Sequence, residues 1–225
     1  MALIDKQPED IQALFNGIAP DYDRNNAIIS LGLHTLVKRQ VVKSLNAGEH
    51  EKILDACCGT GDITWLIKEI YPKVDVIGAD FSAEMLKIAK SRIKNTEFVN
   101  ADMTNLPFED GTFDKVVMSF GLRNIKDYKK ALTECKRVLK VRGEFIHLDF
   151  GKKTFPSKIF DIITTIACNI FFDDTQKYQY LLKSKQQFPK PEKLIEELDQ
   201  SGFKLKQRKD FLLGVISMQI FRIEK

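Results

Sequence analysis

The chain has 225 residues, 29% of them charged, and its 35 Lys and Arg against 31 Asp and Glu leave a net charge of +4. That length suits one α/β domain spanning 1–225 and buries roughly 70% of the unfolded surface, with no room for a second cofactor domain. The basic excess is mild and holds no long run of like charges, so no nucleic-acid partner is expected, while weak attraction to an anionic membrane surface is compatible with it.

No window reaches about 18 consecutive apolar residues, so no membrane-spanning helix is expected. The N-terminus lacks the basic-then-apolar pattern of a secretory signal, which points to a cytoplasmic protein, peripheral at most to the inner face of a membrane. Cys57, Cys58, Cys135 and Cys168 have no metal-binding spacing and read as reduced thiols; with only three histidines, no metal site is expected.

Residues 1–47 read as a helical cover, with Ile11, Leu14, Phe15 and Ile18 at three- and four-residue spacing. Strands are predicted at 52–56, 74–79, 96–99, 113–120 and 143–150. Helices over Asp62–Tyr71, Ser82–Lys94 and Asp127–Leu139 alternate with them, and Asn105-Leu106-Pro107 and Val141-Arg142-Gly143 mark turns. This rhythm predicts a mostly parallel sheet with helices on both faces. Residues 151–201 form a helical insertion (156–172, 175–186 and 191–201), placed as a lid over the substrate side. Two final strands, 203–210 and 213–223, pair as an antiparallel hairpin at the sheet edge. The expected architecture is therefore a Rossmann-like, seven-stranded sheet whose last strand runs antiparallel.

The chemistry centres on K-I-L-D-A-C-C-G-T-G-D from Lys52 to Asp62, where a strand runs into a turn with Gly59 and Gly61. Asp80 follows 19 residues after Gly61. Such a turn offers bare backbone N–H groups to a ligand, and a carboxylate ending the next strand grips a ribose diol. A dinucleotide fingerprint would carry a third glycine where Thr64 stands, so S-adenosylmethionine (SAM) is the better fit. Asp55 agrees, because a cationic sulfonium amino acid gains from a nearby anion. The plainer alternative has the glycines only turning the chain and Asp80 capping the helix that opens at Ser82. Other strand ends supply Phe81, Asp102 with Met103 for an adenine amine and face, and Ser119 leading into F-G-L-R-N.

Four segments, D-Y-D-R-N-N-A-I-I-S-L-G-L-H, D-A-C-C-G-T-G-D, S-F-G-L-R-N-I and R-V-L-K-V-R-G, resemble the ubiquinone and menaquinone biosynthesis C-methyltransferase family over nearly the whole length. The resemblance implies a class I SAM-dependent methyltransferase acting on a ring carbon of a prenylated quinol. It places Thr60, Asp80, Asp102, Met103 and Ser119 at the family's SAM positions. The family usually has Met where Asn25 stands, Trp near Leu36, and P-G-G at Val141-Arg142-Gly143. The first two departures lie in helices expected to cover the substrate, the third in a turn remote from it.

A quinol carbon becomes nucleophilic when the neighbouring hydroxyl loses its proton. Arg123 is the candidate to stabilise the phenolate and Asn124 to orient the ring, with Tyr22, Asp23 and His34 as candidate bases. Each has a plainer alternative: Arg123 and Asn124 as caps of the helix near Asp127, Tyr22 and Asp23 as the close of the N-terminal helix, His34 as a packing residue. The apolar helix at 156–172, with Phe155, Phe160, Phe171 and Phe172, shelters a prenyl tail or touches the membrane, or else packs on the sheet or a dimer partner. Rival functions are O- or N-methylation of another small molecule, a silent SAM-binding subunit and a nicotinamide dehydrogenase; the last lacks its third glycine.

Overall fold

The computed structural model describes residues 7–152, 154–171 and 175–224. Phe172, and the side chains of Cys168 and Phe171, lie outside the described residues. Seven strands form one sheet in the order β3-β2-β1-β4-β5-β7-β6. In chain order they are β1 (Lys52–Ala56), β2 (Asp75–Asp80), β3 (Glu97–Asn100), β4 (Phe113–Ser119), β5 (Leu139–Phe150), β6 (Phe203–Phe211) and β7 (Ile216–Ile223). The first five are mutually parallel, and β7 runs antiparallel to both β5 and β6.

Alternation along the strands divides the core between the two faces, because successive side chains point to opposite sides. Leu54, Ile77, Val116, Phe145 and Phe221 pack with Leu132 and Cys135 of α6 (Tyr128–Val138) and Leu194 and Leu198 of α9 (Pro191–Gln200). Their sequence neighbours Ile53, Val76, Val117, Ile146 and Ile220 pack with Val37 and Val41 of α3 (Leu33–Ser44) and with Ile63, Leu66 and Ile67 of α4 (Asp62–Ile70). Phe113, Phe145, Phe203 and Phe221 are wholly buried, and each such side chain contributes about 1.5–3 kcal/mol. Two of the helix starts on the cofactor side have side-chain caps. The Ser82 hydroxyl accepts from Met85 N–H at 3.2 Å to open α5 (Ala83–Arg92), and Asp127 accepts from Lys130 N–H at 3.0 Å to open α6.

Two expectations need correction. The N-terminal helical region breaks into α1 (Pro8–Ile18), α2 (Tyr22–Ser30) and α3: a 3₁₀ turn at Ala19–Asp21 holds Pro20, and Leu31 and Gly32 both take positive φ. Val141-Arg142-Gly143 is not a turn before β5 but lies inside that strand, which starts at Leu139 and shifts register against β4 between Phe113 and Lys115; Arg142 has φ +63°. The final hairpin forms at the sheet edge as expected, with β7 between β5 and the outermost strand β6. The edge strand β6 exposes Lys204, Lys206 and Lys209, charges that discourage strand addition.

The insertion comprises α7 (Phe155–Phe171), α8 (Thr175–Gln187) and α9. α7 packs against α2, so the N-terminal cover and the insertion meet beyond the C-terminal ends of the strands.

Candidate active site

The chain leaves β1 towards β2 and β3 on one side and resumes with β4 and β5 on the other, which makes the crevice between β1 and β4 the topological switch point. Two cavities of about 290 and 300 Å³ adjoin there. Gly59, Asp80, Phe81, Asp102, Met103 and Thr104 line the first; Ile29, His34, Arg123, Phe150, Phe160 and Tyr180 are among those lining the second. Phe15, Tyr22, Ser119, Phe120 and Asn124 line both, so they form the shared wall.

The first cavity is framed by backbone and carboxylates. Asp80 ends β2 with one oxygen accepting from Gly59 N–H at 2.8 Å and the other from Ser82 N–H at 2.9 Å. Burial raises its pKa, and these N–H groups oppose that shift. Each oxygen keeps a further lone pair, enough for a ribose diol. Gly61, at φ +89°, could not carry a side chain: a Cβ there would lie 2.7 Å from Ile93 Cδ1 and 3.3 Å from Ala89 Cβ. Cys57 and Phe120, ending β1 and β4, also sit at φ +58°, and such strained residues collect where a chain must present itself to a ligand. Asp102 is exposed and its oxygens take the N–H and hydroxyl of Thr104 at 2.8 and 2.9 Å, which fixes the carboxylate beside the buried Met103.

Other expected cofactor residues stand behind this wall. Asp55 lines neither cavity; one of its oxygens takes both the N–H (2.9 Å) and the hydroxyl (2.6 Å) of Thr64, pinning the start of α4 to the end of β1. Burial pushes its carboxyl up to about 7. Thr60 is buried and donates to Asp23 at 2.6 Å, and Gly61 packs against α5. Thr60 and Gly61 therefore shape the turn whose Gly59 reaches the cavity.

The candidate catalytic residues separate. Tyr22 lies in the shared wall, with its ring edge on Phe15 at 6.5 Å between centroids. Asp23 lines neither cavity: its oxygens hold the Thr60 hydroxyl and the Arg92 guanidinium, at 2.6 Å each, and so clasp α2 to the glycine turn and α5. Arg123, in a 3₁₀ turn over Leu122–Asn124, is buried and bound to Asp149 at 3.0 Å and to the Phe120 carbonyl at 2.6 Å. Its guanidinium also lies over the Phe120 and Phe150 rings, at 5.5 and 5.1 Å. Asn124 donates to the Phe120 carbonyl (3.2 Å) and accepts from the Tyr180 hydroxyl (3.2 Å), whose pKa burial raises to about 12. Neither Arg123 nor Asn124 caps α6, since Asp127 does. His34 lines the second cavity and bonds Ser30 Oγ at 2.6 Å through Nδ1. His147 is buried in β5 with Nδ1 on Gln219 at 2.8 Å.

Sequence reasoning missed Asp149, Lys38, Phe120 and Tyr180. Lys38 lines the second cavity and pairs with Asp62 at 3.0 Å; burial is the largest influence and lowers its pKa, but Asp62, Tyr22 and Asp55 together outweigh it and hold the pKa above the ordinary value. None of the four belongs to a spacing that marks a ligand, although Phe120 sits inside S-F-G-L-R-N.

The first cavity fits a SAM molecule on its own observations. The Ser119 hydroxyl is buried in the shared wall without a hydrogen-bond partner among the described residues, Asp80 has acceptor capacity left, and Gly59 brings bare backbone to the surface. A mostly parallel seven-stranded sheet with this turn, this β2 carboxylate and this cavity defines a class I SAM-dependent methyltransferase. The chain belongs to the ubiE/COQ5 methyltransferase family, whose model matches residues 3–221. A demethylmenaquinone methyltransferase of Staphylococcus carnosus is 36% identical over 235 residues, covering 100% of this chain and 98% of the relative. One of Thermotoga maritima is 35% identical over 207 residues, covering 89% and 90%. Among solved structures, a SAM-dependent methyltransferase of Aquifex aeolicus superposes with a TM-score of 0.61 at 19% identity, covering 83% of this chain and 89% of that one. Another from Thermotoga maritima reaches 0.69 at 19% identity, covering 94% and 99%. These two likenesses concern the fold.

Proposed function

We propose that this enzyme methylates a ring carbon of a prenylated quinol, 2-demethylmenaquinol above all, while its tail enters from a membrane surface. The observation that carries this reading is the shared wall, which puts a cavity suited to SAM, with the Asp80 and Asp102 carboxylates in its lining, next to a largely apolar one open at the surface. Leu31, Leu33, Ile159 and Ile163 line that second cavity and are themselves exposed, Leu31 by 74%. Leu36, Phe155, Ile162, Ile166, Ile170 and Leu213 extend the apolar surface beyond these lining residues. Isolated apolar side chains on a surface need no explanation, but a cluster next to a cavity mouth marks a docking face. A bilayer suits it because the tail of the substrate already lies there. No described helix is long and apolar enough to cross a membrane, so the contact would be peripheral.

SAM, when bound, supplies an electrophilic methyl group on a sulfonium that leaves as a neutral thioether. Gly59, Asp80, Asp102, Met103 and Ser119 would hold it. Tyr22 and Asn124 orient the quinol ring at the shared wall, where alignment alone supplies several kcal/mol. Arg123 presents a cation beside the developing phenolate. The identity to demethylmenaquinone methyltransferases favours the naphthoquinol over a benzoquinol.

Incubation with methyl-labelled SAM and reduced demethylmenaquinone, followed by mass spectrometry, should place the label on the ring carbon. Label on oxygen, or none on either quinol class, would remove the assignment.

A further inference from the structure

We propose that His34 is the general base that removes the ring hydroxyl proton, an inference that rests on the quinol reading above. The titratable side chains lining the quinol cavity are Tyr22, His34, Lys38, Arg123 and Tyr180. Lys38 and Arg123 are cations paired with Asp62 and Asp149 and have no lone pair to offer. Tyr22 and Tyr180 carry phenols, donors before they are bases. The nearby carboxylates lie outside the cavity: Asp23 is held by Thr60 and Arg92, Asp62 by Lys38 and Arg92, Asp149 by Arg123. Among the described residues, His34 is left as the lining side chain with a neutral nitrogen lone pair.

The hydrogen bonds around it also set its tautomer. Ser30 has one hydroxyl hydrogen, and it goes to the Asn26 carbonyl at 2.7 Å. The 2.6 Å contact between Ser30 Oγ and His34 Nδ1 then requires the hydrogen to sit on Nδ1. Nε2 keeps the lone pair; among the described residues the Thr35 hydroxyl lies near it at 3.4 Å, too far to compete with a substrate hydroxyl. The motif S-L-G-L-H thus has a use: Ser30 ends α2, Leu31 and Gly32 turn the chain through positive φ, and His34 opens α3 next to the serine that orients it.

The charges facing the imidazole are Lys38 on its own helix, Asp62 from α4 and Asp23 from α2. Burial and then Lys38 lower its pKa below 6.5, and the two carboxylates oppose this without reversing it. The base form therefore predominates at neutral pH. In the step itself, the Nε2 pair takes the hydroxyl proton, the O–H electrons stay on oxygen, and their delocalisation loads the adjacent ring carbon. That carbon would take the methyl group as the methyl–sulfur bond breaks, its electron pair staying on sulfur as a neutral thioether. The ring then loses the hydrogen on that carbon to water while the imidazolium returns its proton to the oxygen. One proton leaves overall, matching the lost positive charge of the sulfonium.

The test begins with the wild type on reduced demethylmenaquinone; absence of turnover would overturn the quinol reading itself, before any variant is made. Given turnover, kcat of His34→Gln and His34→Ala should fall by about 100-fold or more. KM should change by less than about fivefold and the SAM Kd, read by calorimetry, by less than about twofold, because His34 lines only the quinol cavity. The wild-type kcat/KM should decline as pH drops through a value below 6.5, and that limb should be missing in both variants. Added imidazole should restore part of the His34→Ala rate. A His34→Gln kcat within threefold of the wild type, or an acid limb that persists in both variants, would overturn the proposal.

Discussion

The two cavities are built from different materials. The SAM cavity takes its floor from the ends of β1, β2, β3 and β4 and the turns after them, where backbone N–H groups and carboxylates already bond to one another, with α1 above. The quinol cavity shares the β4 end but owes most of its walls to side chains of α1, α2, α3 and α7, elements added before and after the alternating part of the chain. A sheet buried on both faces holds polar groups in fixed positions, whereas helices packed on one another by apolar contact leave a space that varies with every side chain. Cofactor chemistry thus resides in the sheet and substrate choice in the appended helices.

That contrast can be broken or sharpened, starting from its rigid half. Gly61→Val puts branched carbons against Ile93 and Ala89 at a φ of +89° and should reduce SAM affinity more than about 100-fold, with a stability loss of about 1–3 kcal/mol. Calorimetric SAM affinity within tenfold of the wild type would show that the turn is not rigid. At the boundary, Arg123→Met strands the buried Asp149 and should lower the urea-unfolding free energy by about 3–5 kcal/mol. Adding Asp149→Leu should recover much of that, and no recovery would mean the pair is not the cause.

A smaller effect concerns Asp55, whose carboxyl burial raises from 3.8 to about 7. A folded pKa above the unfolded one gives stability that is full below the unfolded value and is lost as pH rises through the folded one. Between pH 5 and 8 the wild type should therefore lose about 2–3 kcal/mol relative to Asp55→Asn in paired denaturation curves. Parallel curves would sink this account of the β1–α4 anchor. On the soft half, Ile162→Glu with Ile166→Glu changes exposed side chains that line neither cavity. Stability should move by less than about 0.5 kcal/mol and SAM affinity not at all, while sedimentation with anionic vesicles is lost. Unchanged sedimentation would argue against the bilayer as the partner of this face, and a wild-type dimer that the substitutions dissociate would assign the face to a second copy.

Legibility in the sequence follows the same division. The β1 turn, Asp80, Asp102 and Ser119 can be read because a glycine at positive φ or a carboxylate at a strand end has few other reasons to be there. The early start of β5 escaped because Val141-Arg142-Gly143 has the composition of a turn yet forms a bulged strand, an outcome decided by pairing with β4. The position of β7 inside the sheet is likewise a matter of register with β5, invisible to local pattern. Asp23 looked like a base because the clasp to Thr60 and Arg92 joins residues 37 and 69 positions away. The Arg123–Asp149 pair, 26 positions apart, carries no motif. Asn25, the departure from the family's Met, is buried in α2 and lines neither cavity, and Leu36, in place of Trp, belongs to the exposed face.

The roof over the SAM cavity links it to its neighbour. α1 lies across it and is tied down by Gln12 donating to the Phe81 carbonyl at 2.8 Å and by Ser82 donating to Asn16 at 2.6 Å. Phe15 on the same helix, with Tyr22 just after it, is also a wall of the quinol cavity. One helix is thus a wall of both cavities, so any change in how α1 seats is felt by both spaces at once.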